Sequence, residues 1–76
     1  MENEINPKRL LLMIEDGAST KDLTAFEMES LADFVITEGY KYNDLPDSLK
    51  FKPAFASMCK QRGVVLPDIV MFYCFN

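Results

Sequence analysis

Residues 24–39 read TAFEMESLADFVITEG, and this stretch decides the fold class. Thr24 followed three residues later by Glu27 is a capping box. The Thr24 hydroxyl can accept from the Glu27 amide while the Glu27 carboxylate accepts from the Thr24 amide. Leu23 and Met28 occupy the two hydrophobic-staple positions around the box, and Gly39 supplies a stop. Between these signals, Ala25, Met28, Leu31, Ala32, Val35 and Ile36 gather on one side of a 3.6-residue period. Ser30, Asp33 and Thr37 gather opposite, with Glu29 on one flank and Glu27 and Glu38 on the other. Phe34 falls near the edge of the apolar stripe and is expected in the core. Phe26, in the first turn on the polar side, has no evident burial site. The spacing predicts an amphipathic helix over 25–38 that other helices must cover.

Outward on the N-terminal side, Asn6 as N-cap and Pro7 at the first helical position form a helix start and Gly17 a left-handed end, which predicts a helix over 7–16. Leu10, Leu11 and Ile14 form one apolar face, and Leu12 and Met13 widen it almost all the way round. A helix of about ten residues does not stand alone in water, so this one is expected to be packed on more than one side, by its own chain or another.

On the C-terminal side, residues 40–52 read as a loop with a helical turn near Asp47 and Ser48. The alternative is a short hairpin, 40–42 against 49–51, because Tyr40/Tyr42 and Leu49/Phe51 each alternate with lysine. Lys52-Pro53 starts a third helix, through Arg62 to a stop at Gly63, with Phe55, Met58 and Cys59 on its apolar face. The final segment, Ile69 to Phe75, is seven consecutive apolar residues. Periodicity does not separate helix from strand in so short a run. The absence of a convincing strand partner favours a short helix begun at Pro67 or Asp68. The expected fold is mainly α: one domain, residues 1–76, a bundle of three to four short helices. The alternative is α+β, with the hairpin or a C-terminal strand.

Composition narrows the chemistry. The chain has 76 residues, no histidine, no tryptophan and two cysteines. Without histidine there is no Ser-His or Cys-His nucleophile and no imidazole ligand for zinc. The three glycines are isolated, so there is no phosphate-binding loop. Asp44 and Asp47 lack the rest of an EF-hand pattern. Glu29 and Asp33 share a helix face at i,i+4, an arrangement much commoner on solvated helices than in cation sites. Cys59 lies on an apolar face and reads as a buried structural thiol. No catalytic, cofactor or metal site is expected, and the protein is read as no enzyme. The short apolar run after two early acids, Glu2 and Glu4, is neither a secretory leader nor a membrane span. A cytoplasmic location with reduced cysteines is the expectation.

The net charge of −4 is unevenly distributed. Residues 1–38 carry nine acids and three bases; residues 39–76 carry three acids and five bases. The two halves either attract each other within the fold or present an acidic surface to a basic partner. The sequence therefore points to a small acidic protein-binding module: a regulator, inhibitor or adaptor occupying a surface of a larger protein, with a basic surface as one candidate partner. Glu27, Glu29, Asp33 and Glu38 are the first candidate contacts, although they lie on two flanks of one helix. Phe72, Tyr73 and Phe75 are the second, if they do not simply complete the core.

Two alternatives remain. One is a subunit of a homo-oligomer, such as a homodimer, that buries the apolar surplus in a self-interface. The other is a helix-turn-helix nucleic-acid binder, suggested by the spacing of Cys59, Gly63 and Ile69 with 68–76 as recognition helix. That segment has no Lys or Arg, and the net charge also argues against phosphate-backbone binding.

Overall fold

The computed structural model describes residues 6–75; Glu2, Glu4 and Asn76 lie outside the described residues. Five α-helices follow in order: α1 (Pro7–Glu15), α2 (Ala25–Thr37), α3 (Asp47–Lys50), α4 (Pro53–Gln61) and α5 (Asp68–Phe75), with a 3-10 turn at Tyr42–Asp44 between α2 and α3. The described residues contain no strand, so both β alternatives are set aside. The segment 40–52 coils instead of pairing, and the apolar run at the C-terminus is a helix entered through Pro67, whose carbonyl accepts from the Val70 and Met71 amides at 3.0 Å.

The capping chemistry places the first two helices. Asn6 Oδ1 accepts from the Arg9 amide at 3.2 Å. At α2 both arms of the capping box form: Thr24 N donates to Glu27 Oε1 at 2.8 Å, and Glu27 N donates to Thr24 Oγ1 at 3.0 Å. At its other end Gly39, at φ 76°, closes a Schellman turn: Gly39 N donates to Ile36 O and Tyr40 N to Val35 O. The reversal lays the Tyr40 ring against Phe34, centroids 5.7 Å apart.

Packing runs as a series. α1 lies on α2, α2 on α4, and α4 on both α3 and α5. The fully buried residues Leu11, Leu31, Ala32, Leu49, Phe55, Ala56, Cys59 and Val70 trace one core through all five helices. Two polar side chains anchor α3, a single turn too short to hold itself. Tyr42 Oη donates to the Lys50 carbonyl at 2.6 Å, and Thr20 Oγ1 donates to the Ser48 carbonyl at 3.1 Å. Both bonds satisfy carbonyls that the short helix leaves open. The Tyr42 ring stacks over Phe55, centroids 6.0 Å apart.

Within its own chain α1 is packed on one side: Leu11 and Ile14 are buried, while Leu12 and Met13 keep 55% and 50% of their surface exposed, because α2 is its main partner. Two expectations need correction. On α2 the buried set is Met28, Leu31, Ala32 and Val35; Ala25 and Ile36 are exposed and Phe34 is half-buried. The buried sector is rotated towards Leu31 and Phe34, where the Tyr40 ring adds cover. The C-terminal aromatics do not complete the core: of α5, only Val70 is fully buried.

Candidate protein-binding surface

α5 is eight residues in which an inner and an outer apolar face share one short helix. Val70, Met71 and Cys74, at i, i+1 and i+4, face the core. Ile69, Phe72 and Tyr73, at i, i+3 and i+4, face away, with 58%, 66% and 66% of their surface exposed. Phe75 follows at 41%. One face of this helix is satisfied by the core, and the other is covered only at its edges, by Phe51 and Lys60 among the described residues.

Neighbouring elements frame this outer face. Phe51, at the end of α3, meets Tyr73 edge-on with ring centroids 5.2 Å apart. Between α3 and α5 lies an open groove of about 540 Å³ lined by Asp47, Ser48, Phe51, Ile69 and Tyr73. Lys50 is held close to the α3 backbone turn: its Nζ donates to the Asn43 carbonyl at 3.1 Å, approaches Asp47 Oδ1 at 3.6 Å and stands 5.5 Å from the Phe51 ring centre. At the far end of α5, Lys60 of α4 places Nζ 5.0 Å from the centre of the Phe75 ring, a cation–π arrangement. Asp68, exposed in the first turn of α5, shares the i, i+4, i+7 stripe of Phe72 and Phe75. The aromatic face thus carries an acid at one end and a base at the other.

The acidic candidates are differently placed. Glu29 and Asp33 come together under Arg62 of α4: Arg62 Nε donates to Asp33 Oδ1 at 2.9 Å, and Arg62 Nη2 lies 3.9 Å from Glu29 Oε2. Here the acidic and basic halves of the chain meet within the fold. Glu27 is committed to the capping box. Glu38 caps the opposite end of α2. These four acids form no single surface, whereas Phe72, Tyr73 and Phe75 do share one helix.

The sequence reading did not select Ile69, Phe51 or Lys60. Ile69 was detectable, since it lies three and four residues before Phe72 and Tyr73 on the same stripe. Phe51 and Lys60 come from other helices, and only the tertiary packing brings them to α5.

Chemistry-bearing groups are otherwise quiet. Burial pushes the Cys59 thiol up to about 11, with Arg62 opposing, which favours the neutral thiol near neutrality. The Cys74 thiol and the Tyr42 hydroxyl are also raised, chiefly by burial. Among the described residues no three His, Cys, Asp or Glu side chains are grouped to hold a metal ion, and no helix is long and apolar enough to cross a membrane. The chain matches no protein-family model, no curated protein and no solved structure.

Proposed function

We propose that this protein is a non-catalytic protein-binding module, a small regulator or adaptor, whose interface is the outer face of α5. One observation carries the reading: Phe72 and Tyr73 keep two thirds of their surface exposed on a helix whose other face is already sealed against the core. Aromatic side chains offer large contact areas at low entropic cost and are the usual anchors of protein interfaces. The acids of α2 are weaker candidates because Arg62 and the Thr24 amide already engage three of them. A nucleic-acid partner is disfavoured by an outer α5 face that offers Asp68 and apolar groups to a phosphate backbone.

A quantitative pulldown with mass spectrometry from the native host tests this reading. Wild type, Phe72→Ala/Tyr73→Ala and Leu12→Ala/Met13→Ala are compared after circular dichroism confirms equal helicity. The α5 variant is expected to lose the dominant larger partner and the α1 variant to keep it. Equal capture by all three would refute the assignment.

A further inference from the structure

We infer that the outer face of α5 pairs with the same face of a second copy of this chain, antiparallel about a twofold axis. This rests on the reading of α5 as an interface and adds that the face is self-complementary, so a larger partner competes with a second copy for it.

The first argument is charge. A twofold axis near residues 71 and 72 sets the N-terminal end of one α5 against the C-terminal end of the other. Asp68 of each copy then approaches Phe75 of its mate, where Lys60 already stands 5.0 Å from the ring centre. One isologous contact therefore makes two equivalent Lys60–Asp68 pairs. The helix dipoles also run antiparallel. A parallel arrangement would set Asp68 beside Asp68 and Lys60 beside Lys60.

The second argument is area. Ile69, Phe72, Tyr73 and Phe75 expose 58%, 66%, 66% and 41% of their surfaces. At about 200 Å² for a large apolar side chain, that is roughly 450 Å² per copy. Two copies remove about 900 Å² from the helices alone, and Phe51 and the Lys60 stem bring the total to about 1,000–1,200 Å², the lower edge of specific interfaces. Area of that size belongs to the transient rather than the obligate end of protein interfaces. The net charge of −4 on each copy opposes association only weakly, because screening acts within about 8 Å at physiological salt. The acidic helix α2 is also separated from α5 by α4 in the packing series.

Sedimentation velocity from about 1 µM to 1 mM at physiological salt tests the pairing. Wild type is expected to shift from monomer to dimer within this concentration range. Phe72→Ala/Tyr73→Ala should remain monomeric throughout with unchanged helicity. Lys60→Glu and Asp68→Lys should each weaken the dimer about tenfold, because each alters two symmetry-related pairs. The double variant Lys60→Glu/Asp68→Lys should return to within about twofold of wild type, because the pairs re-form with signs exchanged. A wild type that stays monomeric at 1 mM overturns the inference, as does a dimer that survives Phe72→Ala/Tyr73→Ala or a charge swap without rescue. Flotation of a monomeric wild type with phosphatidylcholine–phosphatidylglycerol vesicles would overturn it in favour of a lipid surface. A monomer that nevertheless loses its larger partner through Phe72→Ala/Tyr73→Ala would refute the self-pairing and leave the interface reading intact.

Discussion

α2 and α5 both pack on α4, and both are rich in apolar side chains, yet α2 buries Met28, Leu31, Ala32 and Val35 while α5 buries only Val70. α2 has α1 on one part of its surface and α4 on another, and its polar edge is latched by Arg62. α5 stands at the end of the packing series with α4 as its main neighbour. In a chain this short there are too few helices to cover every apolar face. What a helix exposes is therefore decided less by its composition than by its place in the series. On the reading proposed above, α5 is the helix through which association runs.

Two phenylalanines break or confirm that contrast most sharply. Phe55 is fully buried on α4 and stacked on Tyr42; Phe72 is largely exposed. Phe55→Ala should cost about 3–5 kcal/mol, from lost transfer energy and the cavity left behind. That is a large share of the roughly 4–11 kcal/mol expected for a chain of this length, so the urea midpoint of the variant should fall sharply. Phe72→Ala should change unfolding of the dilute monomer by no more than about 0.5 kcal/mol in urea titration. Similar costs at the two positions would show that α5 is closed in solution.

A second, smaller effect is specific to the core side of the contrast. Cys59 is neutral in the fold, with its thiol pushed from 9.0 up to about 11 by burial. In the unfolded chain it ionises earlier, so between those values the unfolded state holds fewer protons and stability falls as pH rises. Tyr42 is shifted in the same direction. Thermal unfolding should therefore be independent of these groups below about pH 8 and decline progressively from pH 9 towards 11. Cys59→Ala should flatten that decline while lowering stability near neutrality. An unchanged slope would mean that the thiol is not shielded by the α4–α5 packing.

How much of this was legible depended on whether a feature was local. The ends of α1 and α2 could be read because Asn6, Pro7, Thr24, Glu27, Gly17 and Gly39 act within one turn of themselves. The turn at Asp47 and the start at Pro53 are equally local. α5 was harder: a run from Ile69 to Phe75 that is apolar on all sides has no periodicity to declare which face is inward. That choice was made by α4, through Val70, Met71 and Cys74. The same limit hid the rotation of the buried sector on α2, where Ile36 lost its place; Phe34, expected in the core, is half-buried with the Tyr40 ring against it. It also hid the latch, because Arg62 lies 29 residues from Asp33, and only the tertiary fold brings them together.

The latch gives the smallest effect, and it separates the two surfaces most directly. Arg62 joins α4 to α2 through Asp33 at 2.9 Å and Glu29 at 3.9 Å, and all three side chains are partly exposed. Exposed pairs of this kind are worth about 0.5–1 kcal/mol at low salt and little at high salt. Arg62→Ala should therefore destabilise the fold by about that amount in dilute buffer, with the difference from wild type vanishing near 1 M salt. Its consequence for binding is the more telling. Removing the guanidinium uncovers two carboxylates and makes the α2 surface more acidic. If a basic protein docked there, Arg62→Ala would strengthen capture and steepen its salt dependence. If association runs through α5, the substitution leaves both partner capture and the monomer–dimer midpoint within about twofold of wild type, because Arg62 lies towards α2 whereas Lys60 lies at the aromatic face.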